Sequence, residues 1–210
     1  MSNLIAALNR MAHLYHRAKS ETYYRVQFGS FGTGSVLRKP LLLANTDCIH
    51  IGREVYIREG ARLEVVKGTS VRNPRLEIGS GTNIEQNVHI VCHNFVRLGE
   101  NVSITGNCCI VDVTHPYDDV TDASKIGSRI LDDAASVEIG DNSFLGFGTV
   151  VLPNVRIGKY VITGANSVVV DNVPDYSVVA GAPAKVIRTY DFEAGRWVSN
   201  GSGLTNANTD

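Results

Sequence analysis

Residues 137–171 read VEIGDNSFLGFGTVVLPNVRIGKYVITGANSVVVD, and in this stretch a bulky residue recurs at every sixth position. The recurring positions are Ile139, Leu145, Val151, Ile157, Thr163 and Val169, of which only Thr163 is not aliphatic. The residue two places before each of them is small or β-branched. Because side chains two apart on a strand face the same side, each unit points one bulky and one small side chain inward. Three units then make one triangular coil, and coils stack by parallel strand pairing.

The same period appears in three earlier runs, which are Ile51, Ile57 and Leu63; Ile78, Ile84 and Ile90; and Leu98, Ile104 and Ile110. A glycine often follows the bulky residue, where we expect it to turn the corner of the coil. The spacing between runs exceeds whole coils, which predicts one insertion around residues 68–76 and a longer protruding loop near residues 116–138. A β-sandwich would instead show a period of two without the periodic glycine.

Composition narrows the function classes. The chain has 210 residues, 20 Lys plus Arg against 21 Asp plus Glu, and 43% hydrophobic residues, which fits one globular domain and argues against nucleic-acid binding through bulk charge. No apolar run is long enough for a transmembrane segment, and the first residues are too polar for a secretory signal. Four cysteines without a CxxC pair predict reduced thiols and a cytoplasmic location.

Residues 173–188 read VPDYSVVAGAPAKVIR. Together with the repeat, this segment resembles the closing motif of the hexapeptide-repeat acyltransferases. Within that family the sequence is most similar to maltose and galactoside acetyltransferases and to O-acetyltransferases of bacterial exopolysaccharide and O-antigen synthesis. The resemblance implies an all-β solenoid, a left-handed parallel β-helix over residues 29–190. Residues 1–28 would form a helical cap and residues 191–210 a C-terminal tail.

The predicted cap contains no glycine or proline between residues 2 and 26. An apolar stripe with helical spacing consists of Leu4, Leu8, Met11, Tyr15 and Ala18. We expect this helix to cover the open end of the solenoid, where strand edges would otherwise be exposed. The alternative is a helix that docks peripherally on a membrane-bound glycan-synthesis complex. The last ten residues are small and polar, and we expect them to be disordered.

The resemblance assigns the catalytic base to His115, which precedes Pro116 at the mouth of the longer insertion. Imidazole titrates near neutrality, and inserted loops of a solenoid carry function more often than its faces do. Asp112 would orient His115, bind the sugar, or bond to its own backbone. The resemblance also places Asn87 and Phe144 at the acceptor. His93 stands where relatives often have an acidic residue, so it would read the acceptor's hydroxyls or charge differently.

Acetyl-CoA would lie along the outer groove between neighbouring solenoids. The resemblance implies that acetyl-CoA contacts four residues and that Gly146 supplies a backbone donor near the thioester. The four residues are Phe147, Ala165, Lys185 and Arg188. Asp171 replaces a basic residue of some relatives, which would remove one phosphate contact.

A metal site is the competing interpretation of three histidines. Family relatives of the carbonic anhydrase type hold zinc between subunits with three histidines, two of which have four residues between them. Here His89 and His93 are separated by fewer residues, and no second histidine follows His115. We therefore expect no metal.

These residues predict an acetyl-CoA-dependent O-acetyltransferase that acts on a sugar hydroxyl of a surface polysaccharide or its precursor. Transfer would be direct, in a ternary complex without an acyl-enzyme. The resemblance implies a homotrimer with active sites between subunits and a saccharide acceptor. The alternatives are N-acetylation of a nucleotide-linked amino sugar and a non-catalytic scaffold, and the latter would be favoured by loss of His115 or of the AGAPAK segment.

Overall fold

The computed structural model describes residues 2–68, 71, 73–131 and 134–200. The chain starts with helix α1, Ser2–Thr22. The strands in chain order are β1 Ser30–Phe31, β2 Val36–Leu37, β3 Leu42–Ala44, β4 Ile49–Ile51, β5 Tyr56–Ile57, β6 Arg62–Val65, β7 Arg75–Ile78, β8 Asn83–Ile84, β9 His89–Cys92, β10 Phe95–Leu98, β11 Ser103–Ile104, β12 Cys109–Val111, β13 Ser136–Ile139, β14 Phe144–Leu145, β15 Val150–Val151, β16 Arg156–Ile157, β17 Ile162–Thr163, β18 Val168–Val169, β19 Ser177–Gly181, β20 Ala184–Asp191 and β21 Arg196–Ser199. Short 3₁₀ turns occupy Tyr24–Val26, Thr46–Cys48 and Ile126–Ser128.

Every third strand joins the same sheet, so the chain winds as a triangular parallel β-helix. Strands β1, β4, β7, β10, β13 and β16 form face A, and β3, β6, β9, β12, β15 and β18 form face C. Face B contains β2, β5, β8, β11, β14, β17 and β19, followed by β20 and β21. The pairing is parallel up to β19, and β20 and β21 add antiparallel strands at the end.

The six-residue period becomes three ladders of inward side chains, which confirms the predicted fold. Ile51 pairs with Ile78 on face A, and the same column continues through Leu98, Ile139 and Ile157. The corresponding columns on faces B and C join the other members of each predicted run. One coil was overlooked in the sequence, because Phe31, Leu37 and Leu43 repeat the period ahead of the first predicted run.

Thr163, the polar member of the longest run, is buried with its hydroxyl satisfied. Its Oγ1 lies 2.7 Å from Thr149 Oγ1 and accepts a hydrogen bond from the amide of Gly146 at 3.0 Å. Buried hydroxyls elsewhere in the core do the same, as when Thr82 donates to the Gly99 carbonyl of the next coil at 3.0 Å. The small inward positions therefore bond coil to coil, since an unpaired buried hydroxyl would be costly.

The periodic glycines have a different role from the predicted one. Gly79 and its equivalents do not adopt a positive φ; a Cβ on Gly79 would lie 2.3 Å from the carbonyl oxygen of Gly99 in the next coil. The left-handed corner positions are mostly asparagines or other glycines, such as Asn101 with φ 55° and Gly148 with φ 70°. Asparagine tolerates this conformation better than most residues, whereas the periodic glycines allow neighbouring backbones to approach.

Two insertions leave the solenoid between faces C and A. The first follows β6 and ends before β7, and the second lies between β12 and β13. The second, residues 112–135, is here called the excursion. Its predicted end near residue 138 was too late, because β13 begins at Ser136 and pairs with β10 from its first residue.

Helix α1 covers the first coil through polar groups rather than through its apolar stripe. The Leu37 amide donates to Ser20 Oγ at 3.0 Å, and the Gly34 amide donates to Glu21 Oε1 at 3.0 Å. These bonds satisfy N–H groups of the first coil that have no preceding coil to pair with. The large apolar side chains of the stripe, by contrast, are exposed, namely Leu4, Leu8, Met11 and Tyr15.

The C-terminal region begins with structure rather than as a tail. Strand β21 pairs antiparallel with β20, and Trp197 packs edge-on against Tyr190 of that neighbouring strand, with ring centroids 5.4 Å apart. The last ten residues, for which disorder was predicted, lie outside the described residues.

The close approach of coils predicts a large penalty for a single methyl group. Gly79→Ala should destabilise the protein by about 1–3 kcal/mol, because the new Cβ meets backbone that cannot move without shifting a coil. Gly127→Ala is the matched control, since a Cβ there meets nothing within 4 Å. The thermal unfolding midpoints of the two variants measure the difference, and equal midpoints would contradict this account of the glycines.

Candidate active site

The sequence-predicted site residues lie at two different corners of the triangle, both bordering face C. The corner between faces B and C, here called the BC corner, carries Asn87, Gly146, Phe147 and Ala165. The corner between faces C and A, here called the CA corner, carries His93, Asp112 and His115. A face is about six residues wide, which at ~3.3 Å per residue separates the two groups by up to about 20 Å. One chain therefore does not bring His115 to the predicted acetyl-CoA residues.

His115 is exposed on the excursion and has a fixed ring orientation. Its Nδ1 lies 2.7 Å from the carbonyl oxygen of Arg129. Because a carbonyl only accepts, Nδ1 must carry the hydrogen, and the lone pair of the neutral ring is then on Nε2. This tautomer is the one that can take a proton from a substrate at Nε2.

Asp112 is not available to an acceptor or to His115. It is 1% exposed, and its carboxylate oxygens accept the backbone N–H groups of His93, Asn94 and Phe95 from the preceding coil. Burial raises the pKa of this carboxyl, while the three N–H bonds act in the opposite direction. The expectation that Asp112 binds sugar or orients the base is therefore wrong, and the residue instead anchors the CA corner.

His93 is likewise buried, with 1% exposure. Its Nδ1 lies 3.0 Å from the Val66 carbonyl oxygen at the start of the first insertion. The side chain thus joins two coils at the CA corner, and in this conformation it does not present itself to an acceptor as predicted.

Asn87 occupies a left-handed corner position with φ 58°. Its backbone N–H donates to the Glu59 carbonyl at 3.1 Å. Its side-chain oxygen fills the space beside Gly60, and a Cβ added to Gly60 would lie 2.1 Å from that oxygen. Asn107 and Asn166 hold the equivalent positions in later coils. Asn87 is exposed, and its contact with an acceptor stays a prediction.

Gly146 does not offer the backbone donor that was predicted. Its amide is buried and donates to the Thr163 carbonyl at 3.1 Å and to Thr163 Oγ1 at 3.0 Å. The missed donors are its neighbours, since the amides of Phe147 and Ala165 donate to no group within the described part of the chain. The position of these residues at a corner could have indicated them, because a backbone N–H that follows a strand can point away from the next coil.

Two exposed aromatic rings flank these open amides. The Phe147 ring is 51% exposed and lies over Gly106, where a Cβ would be 3.4 Å from it. Phe144 projects from face B beside the BC corner and is 43% exposed. Both positions suit contact with a bound substrate, and their roles stay predictions.

The predicted phosphate-binding pair lies on β20. Lys185 is opposite Ala180 and Arg188 is opposite Val178, and a register shift inserts one extra residue between them. This bulge places the two cations on the same side of the strand, because Ala180 and Val178 share a side. Lys185 Nζ is 3.5 Å from Asp171, but both side chains are largely exposed, so the ion pair restrains Lys185 only weakly.

The remaining histidines and cysteines bear on metal and thiol chemistry. No three His, Cys, Asp or Glu side chains among them converge to hold a metal ion, and His89 points outward on face C, away from buried His93. The four thiols are free, and burial raises the pKa of Cys92 and Cys108. No helix in the described ranges is long and apolar enough to cross a bilayer.

Comparison with known proteins agrees with this architecture. Residues 136–171 match the family described as "Bacterial transferase hexapeptide (six repeats)". The chain is 31% identical over 167 residues to "Putative lipopolysaccharide biosynthesis O-acetyl transferase WbbJ" of Escherichia coli K12, covering 77% of this chain and 82% of that protein. It is 34% identical over 113 residues to a galactoside O-acetyltransferase of Lactococcus lactis, covering 54% of this chain and 52% of that one.

A solved structure shares the fold at low sequence identity. AntD, an N-acyltransferase from Bacillus cereus in complex with dTDP and 3-hydroxybutyryl-CoA, superposes with a TM-score of 0.65 at 17% identity, covering 83% of this chain and 89% of that one. Together with the family match, this establishes the solenoid as the left-handed parallel β-helix implied by the resemblance.

The hydrogen bonds of Asp112 predict a stability defect rather than a substrate-binding defect. Asp112→Ala leaves three N–H groups without their acceptor and should lower the free energy of unfolding by about 3 kcal/mol or more. Asp141→Ala is the control, because exposed Asp141 accepts a single amide, that of Glu100, at 2.8 Å. Denaturant midpoints test this prediction; an unchanged midpoint with a raised acceptor KM would restore Asp112 to the acceptor site.

Proposed function

The chain belongs to the bacterial hexapeptide-repeat transferases, and we propose that it transfers an acetyl group from acetyl-CoA to a sugar hydroxyl of a surface polysaccharide or its precursor. The observation that carries the proposal is His115, exposed on the excursion with Nδ1 bonded to a carbonyl and Nε2 left to accept a proton. The 31% identity to a protein named for lipopolysaccharide O-acetylation supports the acceptor class.

The chemistry follows from these groups. Nε2 of His115 takes the proton of the sugar hydroxyl while the hydroxyl oxygen attacks the thioester carbon. Amide N–H groups at the BC corner, those of Phe147 and Ala165, would hold the oxyanion or the pantetheine arm. When the carbon–sulfur bond breaks, the imidazolium returns the proton to the thiolate of CoA. The step needs no acyl-enzyme and no metal. Lys185 and Arg188 would bind the phosphates of CoA as charged donors.

Assembly completes the site, because the two corners are far apart in one chain. The outward residues of face A are mostly charged or polar, as with Arg97, Glu138 and Arg156. From β9 onward face C presents mostly apolar groups, including Val111, Val150 and Val168. Burying face C around a threefold axis would bring the CA corner of one subunit to the BC corner of the next. We therefore propose a homotrimer with three shared sites.

The enzyme would act in the cytoplasm, where acetyl-CoA is made and where the free thiols remain reduced. A thiol-release assay with acetyl-CoA tests the function against two sets of acceptors. Hydroxyl sugars and oligosaccharides should release CoA, whereas a nucleotide-linked amino sugar should not. Release with the amino sugar alone would instead favour N-acetylation, and release with no acceptor in either set would favour the scaffold.

Removal of the base should separate catalysis from acetyl-CoA binding. His115→Ala should lower kcat by about 10²–10⁴, the usual contribution of a positioned base, with the acetyl-CoA dissociation constant unchanged. His13→Ala, on helix α1, is the control and should behave as wild type. A variant at His115 that keeps more than half of the wild-type kcat would exclude it as the base.

Shared sites predict complementation between inactive subunits. Ala165→Trp should block the BC corner, and His115→Ala removes the base at the CA corner. Co-refolding the two inactive variants in equal amounts should restore about a quarter of wild-type activity, because each site draws its two corners independently from two kinds of subunit. Sedimentation should show a trimer in each case. Trimers without restored activity would indicate that each site is built within one chain.

A further inference from the structure

We propose that Arg129 is the positioning residue for His115, because its guanidinium holds the excursion in the shape that brings the Arg129 carbonyl to Nδ1. This inference rests on the proposed role of His115 as the base. Arg129 itself would touch neither substrate.

Residues 113–131 of the excursion have no apolar core to hold their shape. Between residues 113 and 131 no side chain is buried, and the large apolar groups Tyr117, Val120 and Ile126 are exposed. Segments with so little burial keep a fixed conformation only through hydrogen bonds and ion pairs. The conformation around His115 therefore depends on polar contacts.

Arg129 makes more of those contacts than any other residue of the excursion. Its guanidinium donates to the carbonyl oxygens of Asp119, Asp122 and Ser124 at 3.2, 2.6 and 2.6 Å. Nε also donates to Ser124 Oγ at 3.1 Å and lies 3.1 Å from the Asp122 carboxylate. The Arg129 side chain is only 12% exposed in a loop that is otherwise open to solvent. The planar fork of five donors fits several carbonyls at once, which an ammonium does not reproduce.

The same residue is tied to the stem of the excursion. The Arg129 amide donates to the Ile126 carbonyl at 3.0 Å, and the Leu131 amide donates to the Thr114 carbonyl at 2.9 Å. These bonds fix the peptide groups on both sides of the Arg129 carbonyl, whose oxygen is 2.7 Å from Nδ1 of His115. Loss of the guanidinium would release residues 119–124 and let this carbonyl turn away. Without it the ring can place its hydrogen on Nε2, and that tautomer accepts no proton there.

Three variants separate positioning from charge and from folding. Arg129→Ala should lower kcat about 10–100-fold, the usual cost of misplacing a catalytic group, and leave the acetyl-CoA KM unchanged. Arg129→Lys keeps the charge but not the fork and should be impaired to a similar degree. Lys125→Ala removes an exposed charge from the same loop and should match wild type. Guanidinium ion added to Arg129→Ala should restore part of kcat, with no effect on Lys125→Ala.

A spectroscopic measurement tests the geometry without activity. In protein labelled with ¹⁵N-histidine, ring nitrogen shifts should show a protonated Nδ1 and a bare Nε2 for His115, assigned by the signals lost in His115→Gln. Arg129→Ala should shift this signal toward the other tautomer, and Lys125→Ala should not. If His115→Gln keeps its kcat, the proposed function fails while the ring signals still decide the geometry.

Three results would overturn the positioning role. A hydrogen on Nε2 in the wild-type ring would contradict the carbonyl bond. Full activity of Arg129→Ala would show that the guanidinium is dispensable. A lowered unfolding midpoint together with a raised acetyl-CoA KM in Arg129→Ala would show that Arg129 supports the fold in general and not His115.

Discussion

Each coil of this solenoid lies one strand-pairing distance, about 4.8 Å, from the next, and this spacing constrains the side-chain ladders, the glycines and the corners. It requires identical registers in all three faces, which the inward ladders provide. It leaves no room for a Cβ at most of the periodic glycines, such as Gly52, Gly79 and Gly140, whose Cα atoms face the backbone of the neighbouring coil. It also brings corner asparagines and inward hydroxyls within hydrogen-bond distance of the next coil. Stability thus comes from repeated contacts between neighbouring coils rather than from one central cluster.

The same spacing explains which parts of the molecule the sequence predicts. The period of six marks the inward positions directly, so the ladders and both insertions could be predicted from the sequence. The reason for the periodic glycines could not be predicted, because a positive φ and a close backbone approach favour the same residue. Only the register shows that Gly79 faces Gly99. The coil built on Phe31 was missed even though Gly32 follows Phe31 and lies against Gly52 of the next coil, as the later periodic glycines do.

The site residues were harder to predict than the fold for a related reason. Asp112 lies three residues before His115 in the sequence, and the resemblance placed His93 at the acceptor, so both polar residues were predicted to serve the reaction. Their partners, however, come from other coils, as the Val66 carbonyl does for His93. Residues that contact each other across coils are far apart in the sequence. The burial of a polar residue at a corner therefore cannot be predicted from the residues next to it in the chain. The open amides of Phe147 and Ala165 were missed for a different reason. They are backbone groups, so the type of residue at these positions does not indicate them.

The solenoid interior is filled by its ladders, so chemistry is confined to the corners, and one corner cannot enclose a substrate. The excursion extends the surface beyond one corner, because it holds His115 away from the coil on a segment that contributes little to the core. Because its shape depends on hydrogen bonds around Arg129 rather than on packed side chains, its exposed residues can change without disturbing any ladder. Residues 116–128 can therefore vary, and acceptor preference with them, while the coils that would hold acetyl-CoA in the proposed trimer stay the same. That separation follows from the architecture, since none of the hydrogen bonds or ion pairs of the described residues 113–131 reaches the coils.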